Sequence, residues 1–222
     1  MTDTATRSSL ERLRRLDCCA ISDALDRLGL AGVVVGLPQR SGDGRIAGVA
    51  TTVKLGTGGP PEGRPRHLCA AAIELSGPDH VIVVEQRTGI DAGSWGGLLT
   101  LGAKMKSVAG VIAEGPVRDI DEARAENFPI FCRSTTARTA RGRIVEKGTN
   151  VPVLIGDIEV NPGDFVIADG SAVAFVAADR ISDVLDAAEN IAAREAAMSG
   201  AIRGGAELAE VMGAAYEHML QK

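Results

Sequence analysis

The sequence HVIVVEQRTGIDAGSWGGLLTLGAKMKSVAGVIAEGPVRDIDEARAENFPIFC, residues 80–132, alternates short apolar runs with longer helical segments. Apolar, β-branched runs predict buried strands, and the segments between them predict crossover helices. The predicted strands are residues 80–85, 110–114 and 130–132, and the predicted helices are residues 98–106 and 120–126. We expect Gly115 and Pro116 to break the second strand. This order predicts parallel strands joined by helices.

The flanking segments extend this unit on both sides. Before it, we predict helices at residues 8–16, 21–28 and 66–75 and a strand at residues 49–55. After it, we predict an antiparallel meander of short strands at Val153–Ile155, Phe165–Ala168 and 172–176, then a long helix at 180–199 and a helical tail. Neither a repeat nor a linker divides the chain. We therefore expect a single mixed α/β domain over residues 1–222.

The composition excludes several classes of function. The chain has 27 Gly but only four Phe, one Trp and one Tyr, which argues against a base-stacking nucleic-acid surface. The net charge of −5 argues against binding to a phosphate backbone. The N-terminus lacks the apolar stretch of a signal peptide, and the chain lacks a run of the roughly 20 apolar residues that span a membrane. We expect a cytoplasmic protein with neither nucleic acid nor membrane as a partner.

Cysteine and histidine spacing restricts the metal chemistry. The four cysteines form no C-x-x-C pair and predict reduced thiols: Cys18, Cys19, Cys69 and Cys132. The three histidines are too far apart in sequence to form a local zinc motif. Any metal is therefore expected to bind oxygen ligands.

A glycine-rich loop, DAGSWGG at residues 91–97, leads into the predicted helix at 98–106. Its free backbone N–H groups and the helix dipole would favour an anion such as a carboxylate. The alternative is a plain connection in which the glycines only serve turn geometry. Because G-x-G-x-x-G is absent, the loop is not a dinucleotide-binding fingerprint.

A second candidate is Arg118-Asp119, which follows the strand at 110–114. Arg118 could bind a substrate carboxylate or ketone oxygen, and Asp119 could hold a hard cation such as Mg²⁺. The alternative is local: Asp119 precedes a helix, and Glu122 stands three residues later. That spacing is typical of an Asp variant of the capping box.

The last long helix carries a carboxylate within its apolar stripe. The stripe comprises Ile181, Val184, Leu185, Ala188, Ile191, Ala192 and Met198. Glu195 falls in the middle of it, where a carboxylate is costly unless it has a partner. Either the helix emerges into solvent at this point, or the face packs against a neighbouring subunit and delivers Glu195 to a site there.

Together these segments resemble the RraA-like family, which includes regulators of ribonuclease activity and 4-hydroxy-4-methyl-2-oxoglutarate aldolases. The similarity covers nearly the whole chain. It is carried, in order, by ISDALDRLG at 21–29, GVATTV at 48–53, VAGVIAEGPVRD at 108–119 and VNPGD at 160–164. The resemblance implies an α/β sandwich like the swivelling phosphohistidine domain and assembly as a homotrimer or homohexamer.

The resemblance also implies roles for individual residues. Arg118 would bind a keto acid, Asp119 would ligate Mg²⁺ or Mn²⁺, and Glu195 would reach the site from an adjacent subunit. The backbone around Gly96, Gly97, Leu98 and Leu99 would hold the substrate carboxylate. The sequence departs from the aldolases at one position, because Gly97 stands where they carry an Asp that orients a metal-bound water.

The function implied by the resemblance is a metal-dependent lyase. It would cleave 4-hydroxy-2-keto diacids to pyruvate and decarboxylate oxaloacetate as a side activity. The alternative is a non-catalytic protein that binds and inhibits ribonuclease E, for which the acidic chain would suit a basic partner segment. The pair Arg118-Asp119 favours the enzyme.

Overall fold

The structure is a computed structural model that describes residues 3–59 and 67–213. Its helices are α1 (Thr4–Leu13), α2 (Cys18–Leu28), α3 (Ala70–Leu75), α4 (Gly97–Met105), α5 (Ile120–Ala125), α6 (Ile181–Arg203) and α7 (Leu208–Val211). Its strands are β1 (Val33–Val34), β2 (Gln39–Ser41), β3 (Ile46–Gly56), β4 (His80–Gln86), β5 (Gly110–Val117), β6 (Ile130–Thr135), β7 (Val145–Thr149), β8 (Val153–Ile155), β9 (Ile158–Val160), β10 (Phe165–Ala168) and β11 (Val173–Val176). None of the helices in these two ranges is long and apolar enough to cross a membrane.

A large mixed sheet forms the centre of the molecule, with the order β1-β11-β10-β3-β4-β5-β6-β2 and β7 paired to β3. The neighbours β3, β4, β5 and β6 run parallel, as predicted for the central unit. The helices α3, α4 and α5 connect these strands. The antiparallel strands β10 and β11 extend the sheet beyond β3.

Side chains alternate between the two faces of the sheet, as the strand geometry requires. On β4, Ile82 and Val84 pack in the cluster that includes α3, α4 and α5, whereas Val81 and Val83 pack in a cluster with the β8–β9 hairpin. Beside the first cluster, α1, α2 and α6 cover the same face of the sheet over β3, β10 and β11. The fold is therefore the predicted mixed α/β sandwich, with the helices over one face.

Two helix ends show why the sequence folds locally as it does. Asp17 precedes α2 and accepts a hydrogen bond from the Ala20 N–H at 2.8 Å, and Gly29 ends the helix with φ of 65°. Such an N-cap and left-handed C-terminal glycine are the signals that predict the helix. The VNPGD turn is fixed in a similar way, because Asp164 accepts from the Asn161 N–H at 2.7 Å and the Ala178 N–H at 3.1 Å.

The predicted break at Gly115 and Pro116 is wrong. Strand β5 continues through both residues to Val117, and Pro116 pairs with Ser134 of β6. The register shifts between Ala113 and Pro116, so the missing proline N–H falls at an irregularity of the ladder. The consequence is that β5 extends three residues closer to Arg118 than predicted, to Val117.

The predicted meander is only partly correct. Strands β10 and β11 form an antiparallel pair, but β8 pairs with β9 in a separate two-stranded sheet. The basic segment 133–150 contains the unpredicted strand β7, which extends the sheet beside β3. The helix predicted at 66–75 begins only at Ala70, and its predicted start at Arg66 lies outside the described residues.

Candidate functional site

A cavity of about 230 Å³ lies where β5 ends and α4 begins. It is smaller than the roughly 300–1,000 Å³ pockets that hold drug-sized ligands, so its size suits a small metabolite. The glycine loop, the start of α4, Arg118 and Asp119 line it, together with Thr139, Ala140 and Arg141. The structure therefore brings the two candidate segments together in a single site.

The glycine loop lies against the end of β5 and is held there by its backbone. The Ser94 N–H and the Ser94 hydroxyl both donate to the Pro116 carbonyl at 2.8 Å, and the Arg118 N–H donates to the Trp95 carbonyl at 3.0 Å. The buried Trp95 donates from Nε1 to Thr100 Oγ1 at 3.0 Å, which ties the loop to the first turn of α4. These contacts fix the start of α4 beside Arg118-Asp119.

Asp119 does not act as the local helix cap. It adopts a left-handed backbone conformation, with φ of 57°, and its side chain makes no capping hydrogen bond to α5. Instead, Oδ2 accepts from the Gly97 N–H at 3.0 Å, at the start of α4, and Oδ1 accepts from Arg118 Nε at 3.1 Å. The capping-box alternative is therefore wrong, and Asp119 has been turned towards the cavity.

Three glycines make room for these side chains. A Cβ added at Gly93 would lie 2.9 Å from Arg118 Cγ, and one added at Gly96 would lie 2.9 Å from Asp119 Oδ2. A Cβ added at Gly97 would overlap the carboxylate of Glu122. The glycine loop is therefore more than a plain connection, because its lack of side chains allows the charged segment 118–122 to pack against it.

The donor set around Asp119 fits a hard divalent cation. Asp119 is 29% exposed, and its two hydrogen bonds leave further lone pairs on both oxygens. Within residues 3–59 and 67–213, no group of three or more His, Cys, Asp and Glu side chains is arranged to hold a metal. Mg²⁺ is commonly held by one or two carboxylates, with water and substrate completing its shell. Asp119 would be the first of these carboxylates.

The predicted substrate-binding residues lie around the same cavity. Gly96, Gly97, Leu98, Leu99 and Arg118 all line it. Gly97, Leu98 and Leu99 are the first three residues of α4, and the N–H groups at that position have no partner inside a helix. The Gly97 N–H is already bonded to Asp119, which leaves those of Leu98 and Leu99 for an anion.

Glu195 stands apart from this cavity in the folded chain. It does not line the cavity, and its side chain is exposed on the second half of α6. Partial burial, followed by the nearby carboxylates of Asp23 and Asp17, raises the pKa of Glu195 above its ordinary value of 4.5. The first half of the stripe is buried from Ile181 to Ile191, so within one chain the helix does emerge into solvent near Glu195.

Neither of the other acidic residues near the loop in sequence takes the place of a carboxylate at Gly97. Asp91 forms an ion pair with Arg138 at 3.3 Å, and both side chains are exposed. Glu85 is buried and accepts from the Leu154 N–H at 2.7 Å, with Lys54 3.6 Å away. Both groups already have their own partners.

The sequence interpretation missed Arg141 and His67, which line the cavity together with Asp119. The available signal was the excess of arginine and lysine in residues 133–150, although periodicity could not show where this segment folds. The segment is tied to the glycine loop by the Gly93 N–H, which donates to the Arg138 carbonyl at 2.9 Å.

Comparisons with known proteins concern the family and the fold of the chain. Residues 18–175 match the family described as RraA-like, Aldolase/RraA. A Halalkalibacterium halodurans protein named "Putative 4-hydroxy-4-methyl-2-oxoglutarate aldolase" is 29% identical over 197 residues, which cover 87% of this chain and 88% of that protein. Protein DlpA of Legionella pneumophila is 30% identical over 90% of this chain. The match covers only 32% of DlpA, so the chain spans about a third of that relative's length.

A solved structure shows the same fold. RraAS2 of Streptomyces coelicolor, described as an unusual member of the RNase ES inhibitor RraA protein family, superposes with a TM-score of 0.75 at 24% identity. The superposition covers 87% of this chain and 95% of RraAS2.

Proposed function

Because the chain belongs to the RraA-like family, we propose that it is a divalent-metal-dependent lyase that cleaves 4-hydroxy-2-keto diacids to pyruvate. Oxaloacetate decarboxylation is proposed as a side activity, because it passes through the same enolate. The observation that carries the proposal is the conformation of Asp119. A non-glycine residue in the left-handed region costs roughly 1–3 kcal/mol, and here it turns the carboxylate away from its own helix and into the cavity.

The cavity has cationic groups for a substrate with two acid groups. Arg118 and Arg141 both line it, together with Leu98, Leu99 and His67. We propose that the keto-acid end binds at Arg118 and the start of α4, since guanidinium and helix N-termini both favour carboxylates. Arg141 would then bind the distal carboxylate.

In this function the divalent cation, Mg²⁺ or Mn²⁺, would withdraw electron density from the keto acid and stabilise the developing enolate. Asp119 is the carboxylate that would hold it. Arg118 is 36% exposed, and its guanidinium lies beside Asp119. There it would add positive charge next to the enolate oxygen. The carbon–carbon bond breaks as the substrate hydroxyl loses its proton, and the enolate takes up a proton to give pyruvate.

We also propose that the site is shared between subunits of a homotrimer or homohexamer. Leu98 lines the cavity and is 87% exposed; α4 also exposes Met105 at 77%, and α3 exposes Leu75 at 60%. Apolar side chains grouped beside a polar site are typical of an interface. An adjacent subunit packed there, with its C-terminal helices from about residue 180, would bring in Glu195, whose raised pKa suits a group that carries a proton.

The test is a pyruvate-coupled assay of the purified chain with 4-hydroxy-4-methyl-2-oxoglutarate, a related 4-hydroxy-2-keto diacid and oxaloacetate, each with Mg²⁺ and with Mn²⁺. We expect release of pyruvate that stops when the metal is chelated. The competing function is binding and inhibition of ribonuclease E; RraAS2 is described as a member of an RNase ES inhibitor family. Capture of ribonuclease E together with absent turnover on every substrate would decide for that function.

A further inference from the structure

The short strand β7 carries an acidic side chain that the proposed function has not used. Glu146 pairs with Leu55 of β3, and residues directly opposite each other in an antiparallel pair point to the same face of the sheet. Leu55 belongs to the buried cluster that includes α3, α4 and α5. On this face the Glu146 carboxylate accepts from the Cys69 N–H at 2.6 Å and, on its other oxygen, from the Thr149 hydroxyl at 2.6 Å.

Cys69 needs such a partner because of its backbone. It is fully buried and has φ of 64°, in the left-handed region that is unfavourable for residues other than glycine. Such a conformation persists only where the surrounding structure holds it. A hydrogen bond from an N–H to a carboxylate is among the stronger ones in proteins. Glu146 therefore fixes the backbone immediately before α3.

The Cys69 side chain ties the same backbone to the glycine loop. Burial, followed by the nearby Glu146 carboxylate, raises the pKa of the Cys69 thiol well above its ordinary value of 9.0, so the thiol keeps its proton at neutral pH. It donates to the Ser94 carbonyl, with 3.6 Å between Sγ and the oxygen. Because the Ser94 N–H and hydroxyl also hold the loop to Pro116, the loop has its own support in this contact.

Two segments next to the bonded residues line the cavity. Residues 67–68 come directly before Cys69, and residues 139–141 come shortly before β7. One residue of each segment also packs against the buried cluster that contains Leu55: Leu68 and Ala140. The bond between Glu146 and Cys69 therefore lies next to two parts of the cavity wall.

The connection from residues 139–141 to β7 is short and hydrogen-bonded. The Ile144 N–H donates to the Ala140 carbonyl at 3.0 Å, which closes a turn just before the strand. Glu146 follows two residues after Ile144. Its bond to Cys69 thereby fastens the two segments of the cavity wall to each other.

We propose that Glu146 is a positioning residue that joins these two segments into the wall holding the distal end of the substrate, the end with the second carboxylate. This inference rests on the proposed function, in which Arg141 binds that carboxylate. The pair Arg118-Asp119 is held separately, by hydrogen bonds to the glycine loop and to the start of α4. Loosening the wall should therefore affect the distal end of the substrate and spare its keto-acid end.

The test measures by calorimetry how two ligands bind to the purified chain with Mg²⁺ present. 2-Oxoglutarate is a keto diacid without the 4-hydroxyl group that cleavage requires, and pyruvate has the keto-acid end alone. Glu146→Ala is expected to weaken 2-oxoglutarate binding at least about tenfold, since misplacing a binding group by about 1 Å can cost about 100-fold. Pyruvate should bind within about twofold of the wild-type affinity, because its binding groups do not contact the altered residue.

A conservative variant and a matched control complete the set. Glu146→Gln should restore 2-oxoglutarate binding, because the amide oxygen can accept from the Cys69 N–H while the amide N–H donates to Thr149. Glu159→Ala, at an exposed position of β9, should bind both ligands as the wild type does. Thermal melting of each variant checks that the fold is retained.

Thr149→Val decides the question if Glu146→Ala does not fold. It removes only the hydroxyl that donates to Glu146 and keeps a β-branched side chain in the strand. It should weaken 2-oxoglutarate binding about threefold and leave pyruvate binding unchanged, in line with the loss of one hydrogen bond.

The outcomes separate the inference from the function. Unchanged 2-oxoglutarate binding in Glu146→Ala, or in Thr149→Val as its substitute, overturns the inference and leaves the proposed lyase intact. Equal weakening of both ligands, or a Glu146→Gln variant as weak as Glu146→Ala, overturns the inference as well. Selective weakening of 2-oxoglutarate without turnover of any substrate supports the inference and overturns the lyase. A wild-type chain that binds neither ligand overturns both.

Discussion

Two groups of carboxylates in this molecule have opposite surroundings. At the cavity, Asp119 accepts a hydrogen bond from the Gly97 N–H and one from the Arg118 guanidinium. On the α2–α6 face, Asp23 and Glu195 are surrounded by other acids. Burial first, and then neighbouring carboxylates, raises the pKa of both Asp23 and Glu195.

The difference shows how a carboxylate can serve either as a ligand for a cation or as a carrier of a proton, depending on its neighbours. The Gly97 N–H and the Arg118 guanidinium hold the Asp119 carboxylate in one orientation, which suits a ligand for a cation. Partial burial and the nearby carboxylates of Asp23 and Asp17 favour the protonated form of Glu195, which suits a group that exchanges a proton or meets a positive partner. We propose that the two groups meet across a subunit boundary, where Glu195 approaches Arg118 of its neighbour.

Among substitutions that leave the cavity carboxylate in place, the largest change is expected at Gly93, which packs against Arg118. In Gly93→Ala the new Cβ would stand 2.9 Å from Arg118 Cγ and 3.1 Å from Cδ, so Arg118 has to move. A displacement of this size at a positioned group can cost about 100-fold, and we expect that loss in kcat/KM. The control is Gly77→Ala, where a Cβ meets nothing within 4 Å. Equal rates for the two variants would contradict the role given to Arg118.

A loss of about 100-fold, the lower end of what a positioned general acid or base contributes, is expected for Glu195→Gln if the carboxylate serves as a proton carrier in an adjacent site. Sedimentation should show an oligomer for both this variant and the wild type. Mixing Glu195→Gln with Asp119→Asn under conditions of subunit exchange should then regain activity above the sum of the two, because some sites would receive both native residues. A stable monomer, or a mixture without gain, would remove the shared site.

The smallest effect concerns stability and pH. Since the pKa of Glu195 and of Asp23 is raised on folding, the folded chain binds more protons than the unfolded chain between the ordinary and the raised values. The free energy of unfolding therefore falls as pH rises through that window, just above the ordinary values of 3.8 for Asp and 4.5 for Glu.

Glu195→Gln should flatten that fall and should raise the free energy of unfolding at pH 7 by less than about 0.5 kcal/mol, because the side chain is exposed. Denaturant titrations at pH 4, 5 and 7 measure the free energy of unfolding of each variant. Glu74→Gln, on the exposed side of α3, is the control. Destabilisation by Glu195→Gln at pH 7 would show that the carboxylate has an attractive partner within the chain.

Much of the fold could be predicted because its signals are local. The apolar runs of β4, β5 and β6 and the cap and glycine of α2 each lie within a few residues of one another. Pro116 misled the prediction, because whether a proline breaks a strand depends on where its missing N–H falls in the ladder. Strand β7 was missed because a short polar strand lacks an alternating pattern.

The site was harder to predict, because it depends on contacts between distant residues. The sequence placed Arg118 and Asp119 among the candidates but left the capping box open for Asp119. The structure rules out the capping box through two features: the hydrogen bond from the Gly97 N–H, 22 residues away, and the left-handed backbone at Asp119. The orientation of Glu122 is equally hidden, because its interaction with position 97 exists only after α4 and α5 have packed together.

The most direct test of the central claim is Mn²⁺-dependent pyruvate release by the wild type beside Asp119→Asn. Asparagine tolerates the left-handed backbone and can still accept from the Gly97 N–H, so this change removes the charge and retains the fold. We predict pyruvate release by the wild type that a chelator stops, and release by Asp119→Asn at the metal-free background. Equal release by the two proteins, or none by the wild type across both metals and all three substrates, would contradict the account.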